Sequence, residues 1–116
     1  FFLILSIIRH LSVLKTYFSS GATGVNLVLN SALDGVTKAT SGTAPNITTV
    51  YAIDVTNATN AFGSGVTAIN VKAEVLTSAG ETVYPSVTRS GTSLSVTFVG
   101  SAVADSAYRV LLVNVA

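Results

Sequence analysis

Cysteine, methionine and tryptophan are absent, and histidine occurs once, at His10. Without thiols the chain can form neither disulfides nor thiolate metal sites. With its one histidine near the N-terminus, the rest of the chain cannot build a His-based triad or a His-rich metal centre. Charge is scarce as well. Charged residues make up 9% of the chain and the formal net charge is +1, against a typical charged share of roughly 25%. There is no basic field to attract nucleic acid. The five acids, Asp34, Asp54, Glu74, Glu81 and Asp105, are scattered along the chain, and their spacing marks no glycosidase pair. Gly63-Ser-Gly65 lacks the Lys-Ser/Thr and following helix of a phosphate-binding loop. The residues therefore point to no catalytic group, no cofactor and no metal, and we expect a protein that is not an enzyme.

What is present is apolar and small. Apolar residues are 49% of the 116 positions, enough for one small domain burying about two-thirds of its unfolded surface. A disordered chain would show the opposite balance of charge and hydrophobicity. So few charges make a lone monomer poorly soluble, so copies of the chain or other partners are expected to cover much of its surface. The load of Val, Thr, Ser, Ala, Gly and Asn is common in β-rich extracellular and virion proteins.

Residues 1–18 are the most apolar stretch. Phe1, Ile4, Leu5, Ile8, Leu11 and Phe18 share one helical face, with Ser6, Arg9, His10 and Thr16 towards the other. A strand competes with the helix over residues 1–8, because that apolar run is short and continuous. The run free of charge ends at Ile8, whereas a transmembrane span needs about 20 apolar residues. The charges follow the apolar run, which is the wrong order for a signal peptide. The lack of an initiating methionine suggests a chain that is processed, trimmed or begins inside a longer product. We expect residues 1–20 to be an oligomerisation or anchoring arm. Packing on its own domain and lying in a membrane interface are the competing roles. Ser19-Ser-Gly-Ala-Thr-Gly24 reads as a hinge, with a β domain over residues 21–116.

From there the pattern has period two. Val25, Leu27 and Leu29 alternate with Asn26, Val28 and Asn30. Asp34-Gly35 is a turn dipeptide leading to a returning strand over residues 36–40. Residues 47–55 carry bulky groups on both faces. Residues 56–65 read as a polar loop, with Phe62 expected to pin it to the core. Residues 66–76 read as a strand whose Lys72 and Glu74 face away from Val71, Ala73 and Val75. Pro85 cannot donate to a ladder, so residues 81–87 are expected to form an edge strand or a bulged one. Leu94, Val96 and Phe98 alternate with Ser93, Ser95 and Thr97, and Tyr108, Val110 and Leu112 with Arg109, Leu111 and Val113. We expect an all-β fold, an antiparallel sandwich or barrel of about seven strands. Its organising meander covers residues 71–113, with Val71, Val75, Leu94, Val96, Phe98, Val110 and Leu112 buried. Asn46-Ile-Thr48 and Asn57-Ala-Thr59 match the glycosylation pattern, which arises readily by chance in a Thr-rich chain. Tyr17, Tyr51, Tyr84 and Tyr108 have rings that could stack on sugars, but most fall inside strand patterns, where packing is the expected role.

The turns and strands of residues 71–113 resemble the small β-rich modules of tailed-bacteriophage virion proteins, of the capsid-decoration, head-fibre and tail-fibre kinds. The resemblance rests on Ser-Ala-Gly-Glu at 78–81, Val-Tyr-Pro-Ser-Val at 83–87, Leu-Ser-Val-Thr-Phe at 94–98 and Ala-Tyr-Arg-Val-Leu-Leu at 107–112. It covers under half of the chain, and the N-terminal segment departs from it. The resemblance implies a non-enzymatic structural or receptor-binding protein of a virion surface, homo-oligomeric and in contact with other virion structural proteins; the near-neutral charge gives no reason to expect a nucleic acid partner. The apolar start also looks like a type IV pilin-like subunit, which implies an extracellular or cell-surface filament. Leu5 stands where that family usually has Glu, and Arg9 and His10 interrupt the apolar helix.

Overall fold

A computed structural model describes residues 23–116. The expected arm, with Phe1, Ile4, Leu5, Ile8, Leu11 and Phe18, lies outside the described residues. The described chain is all-β. It has eight strands: β1 (Thr23–Val28), β2 (Val36–Ser41), β3 (Ile47–Asp54), β4 (Val71–Thr77), β5 (Thr82–Val83), β6 (Ser86–Ser90), β7 (Ser93–Gly100) and β8 (Tyr108–Asn114). Ala68–Asn70 forms a 3₁₀ turn before β4. The strands make two four-stranded sheets, in the order β1-β8-β4-β5 and β2-β3-β7-β6. Every neighbouring pair is antiparallel.

Both sheets supply one core, which makes the architecture a β-sandwich. Leu27, Val71, Val75, Val110 and Leu112 come from the first sheet, and Val36, Tyr51, Ile53, Leu94 and Val96 from the second. Each lies on the inward parity of its strand, as period-two alternation requires. Fully burying a side chain of this size stabilises by roughly 1.5–3 kcal/mol. Thr49 is also buried, and its hydroxyl accepts the Val103 N–H at 3.2 Å. Phe98 is half-buried rather than buried. It stacks on Tyr108 across the sandwich, with ring centroids 4.6 Å apart, and meets Tyr51 edge-on.

The connections differ from the expected meander. Residues 71–113 do not form one continuous sheet. β4 and β5 pair in the first sheet, β6 and β7 in the second, and β8 returns to the first. The cause lies at Tyr84-Pro85. Pro85 has no N–H to give to a ladder, and what reads as one strand over residues 81–87 is two, one on each side of this dipeptide and each at a sheet edge. Likewise β2 does not return on β1. β1 pairs with β8 and β2 with β3, so the Asp34-Gly35 turn carries the chain from one sheet to the other. The strand expected from Val66 begins only at Val71, after the 3₁₀ turn. Lys72 and Glu74 are exposed, as expected. In the β6–β7 hairpin Gly91 takes φ 58°, the positive value that two-residue hairpin turns require.

These positions predict two contrasting stabilities. Leu112→Ala should cost about 2–5 kcal/mol, as truncation of a buried leucine does. Val99 is 76% exposed, and Val99→Ala should stay within about 0.5 kcal/mol of the parent. Chemical denaturation of both variants checks the inward parity of β8 and the outward position of Val99.

Candidate functional site

Polar side chains concentrate where the loops between strands meet. Asp105, in the β7–β8 loop, accepts hydrogen bonds from the Ser31 hydroxyl at 2.7 Å, the Tyr51 phenol at 2.8 Å and the Ser31 N–H at 3.2 Å. Lys38 Nζ stands 3.6 Å from the same carboxylate and 5.4 Å from the centre of the Tyr51 ring. Asn30 donates to the Ser106 hydroxyl at 2.9 Å, and Ser106 takes φ 68°. The Ser31 hydroxyl, then the Tyr51 phenol, hold the Asp105 carboxyl down to about 2, with the Ser31 N–H and Lys38 adding to the effect. Burial first, and then Asp105, push the Tyr51 phenol upward. A carboxylate this well satisfied makes a poor general acid or base. Its role is to tie the β1–β2 loop, β2, β3 and the β7–β8 loop together.

A second knot joins the β1–β2 loop to the segment after β3. Asn57 donates to the Asp34 carboxylate at 3.0 Å, and its own Oδ1 accepts the N–H groups of Thr59 and Asn60. Asn60 donates to the Asp34 carbonyl at 2.8 Å. The Asn57 amide is therefore bonded into the fold, whereas Asn46 is exposed on the β2–β3 loop. Gly35 takes φ 81°, and a Cβ there would lie 2.8 Å from the Asn57 side chain. Asp54 bonds the Thr56 hydroxyl and N–H, and these bonds lower its pKa. Phe62 packs against the core as expected, with its N–H bonded to the Val55 carbonyl at 3.1 Å. Among the described residues, no group of three or more His, Cys, Asp or Glu is placed to hold a metal ion. Among them too, no helix is long and apolar enough to cross a membrane.

The surface feature of a different kind is an open groove of about 370 Å³, whose lining includes Tyr84, Pro85, Phe98, Val99, Val103 and Tyr108. The rest of the lining is Val83 and the hydroxyl residues Ser86, Thr97 and Ser101. Among the described residues, none in the lining is charged. Tyr84 is 91% exposed and Val99 76%. The groove follows from the strand break. β6 begins at Ser86, opposite Thr97, while β7 continues to Gly100 against β3. Over Phe98, Val99 and Gly100, β7 has no ladder partner on its β6 side among the described residues. An apolar side-chain surface thus adjoins an unpaired strand edge, a combination able to receive an apolar segment. Reading the strands in sequence missed this groove. The available signal was Pro85 in the middle of an otherwise continuous strand pattern. Of the four tyrosines, Tyr51 is buried in the core, Tyr108 lines the groove half-buried, Tyr84 stands exposed, and Tyr17 lies outside the described residues.

Comparison with protein families, with known proteins and with solved structures finds no match for this chain.

The Asp105 network sets a pH dependence. A carboxylate whose pKa is lower folded than unfolded contributes stability above the unfolded value and loses it as pH falls through the folded one. The contribution of Asp105 is therefore present near neutral pH and lost as pH falls from 3.8 towards about 2. Asp105→Asn should lower the denaturation midpoint at neutral pH and make the acid limb of the stability profile shallower. A variant with the parent's midpoint and acid limb would show that the network does not stabilise the fold.

Proposed function

We propose that the protein is a non-enzymatic structural subunit of a virion surface, of the capsid-decoration or fibre type, working through self-assembly and contacts with other shell proteins. The observation that carries this reading is the open groove, lined by exposed aromatic and aliphatic side chains together with hydroxyl residues, on a domain with so little charge. An exposed surface holding Tyr84 at 91% and Val99 at 76% exposure is unfavourable in water and suits a protein–protein contact. The polar side chains argue in the same direction. Asp34, Asp54 and Asp105 are engaged in bonds that hold loops, and Glu74 accepts the Thr82 hydroxyl at the β4–β5 hairpin. The resemblance of residues 71–113 to virion modules supplies the setting. A pilin-like extracellular filament subunit is the second reading. It is favoured by the placement of the groove and the start of β1 at opposite ends of β8, a polarity that suits a chain of subunits.

The apolar residues Phe1, Ile4, Leu5, Ile8, Leu11 and Phe18 form the assembly element in this proposal. Deleting residues 1–20 should leave a β domain that folds cooperatively and sediments as a monomer, while the full chain sediments as an oligomer. Equal association of both forms would remove the arm from assembly. Unfolding of the shortened chain would place those residues in the domain's own core. Electron microscopy of the native particle then separates a virion from a filament.

A further inference from the structure

We infer that the groove at Tyr84, Phe98, Val99 and Tyr108 is the receptor for the N-terminal segment of a second copy of this chain, so that subunits join head to tail. The inference rests on the assembly reading above and adds the receiving surface and the polarity of the contact.

Three observations carry it. The first is direction. Thr23 opens β1 on the same rung as Asn114, the last residue of β8, and as Val71 of β4. Tyr108, which lines the groove, is the first residue of β8. The two ends of β8 are therefore about 20 Å apart at roughly 3.3 Å per residue. β1 runs from Thr23 towards Val28 and Arg109, so β1 begins at the end of β8 away from the groove. The groove and the start of β1 thus stand at opposite ends of one subunit, an arrangement that suits a contact between copies.

The second observation is chemical fit. Among the described residues the groove has no charged lining residue, and its polar side chains are hydroxyls. An oligosaccharide site usually needs carboxylates or amides to hold the sugar hydroxyls, and this lining has none. The sequence preceding Thr23 begins with an uncharged apolar run, Phe-Phe-Leu-Ile-Leu-Ser-Ile-Ile. The unpaired edge of β7 over Phe98, Val99 and Gly100 also offers backbone groups to an incoming segment.

The third observation is a matching apolar surface at the other end. Ile69 is 76% exposed and Val115 40%. They lie beside the rung that holds Thr23, since the Val115 N–H bonds the Asn70 carbonyl at 2.9 Å. Exposed apolar side chains thus stand where β1 begins and where the groove opens, on different surfaces of one subunit. Contacts between different surfaces give a heterologous, head-to-tail interface, which closes into rings or extends into filaments.

The absence of cysteine makes the test clean. Two full-length variants, Leu5→Cys and Val99→Cys, are prepared separately, mixed and oxidised. The expected result is a mixed disulfide dimer of Leu5→Cys with Val99→Cys, exceeding either self-pair by at least about tenfold, as effective concentration in a formed complex dictates. In parallel, Val99→Asp should keep the parent's melting temperature, because the side chain is exposed, and weaken self-association by at least about tenfold, as expected for a charge placed in an apolar contact. Several results would overturn the inference. Dominant Val99→Cys self-pairs would mean that grooves face each other. A disulfide within one chain, formed at high dilution when Leu5→Cys and Val99→Cys are combined in a single chain, would mean that each arm fills its own groove. Oligomers that survive Val99→Asp without the mixed disulfide would move the receiving surface elsewhere, with assembly itself intact. A parent that sediments as a monomer at all concentrations would remove both this inference and the assembly reading.

Discussion

Four central strands carry the structure: β8 and β4 in one sheet, β3 and β7 in the other. Their inward residues, among them Val110, Leu112, Val71, Val75, Tyr51, Ile53, Leu94 and Val96, are almost wholly removed from water. With no disulfide available, this shared apolar layer is what opposes the conformational entropy of the chain. Parity does the rest. A strand that slipped by one residue would turn its valines and leucines outward and its serines and threonines inward. The outer strands β1, β2, β5 and β6 then need only complete the ladders and cover the margins of the core.

The margins are where the molecule acquires its character. A sandwich has two open ends and exposed edges, and each must be closed or left available. One part of this margin is closed by polar chemistry. Asp105 gathers Ser31, Tyr51 and Lys38 into a single network, and Asn57 does the same for Asp34 and its own turn. Arg89 adds a bond between sheets, with its Nε donating to the Val71 carbonyl at 2.9 Å. Another part is left open by Pro85. Because the chain leaves one ladder before this proline and enters the other after it, the end of β7 has no ladder partner on that side among the described residues. Tyr84 and Val99 stand in water beside the gap. The same backbone constraint that divides the strand therefore creates the groove, which links a single residue type to the surface proposed for assembly.

An assembly role is consistent with how sparingly this protein uses charge. Charged side chains keep most isolated domains apart and dissolved. Here several of those present are engaged within the fold: Asp105, Lys38 and Asp34 hold loops, and Arg89 ties one sheet to the other. Apolar surface is exposed where β1 begins and again at the groove. A subunit covered by its neighbours needs no larger share of charge, and the head-to-tail arrangement proposed above would cover both patches with one contact.

The sequence by itself determined the fold class and most of the core. Period-two alternation is a local signal, and it identifies the inward faces of residues 71–75, 94–96 and 110–112 without knowledge of any partner. Composition likewise determined that thiol chemistry is absent and that charge is scarce. Which strands pair was decided only by tertiary structure. β1 with β8 and β3 with β7 are contacts between residues far apart in sequence, and short strands of similar alternation leave the pairing open. Phe98 has the parity of a core residue, yet lies half-buried because its strand runs past the end of β6. The Asp105 network was equally illegible, since Ser31, Lys38, Tyr51 and Asp105 carry no shared motif and meet only when the loops do. The groove lies between these cases. Pro85 announced a break in the sequence, but the exposed surface beside it exists only because the two halves of the broken strand join different sheets.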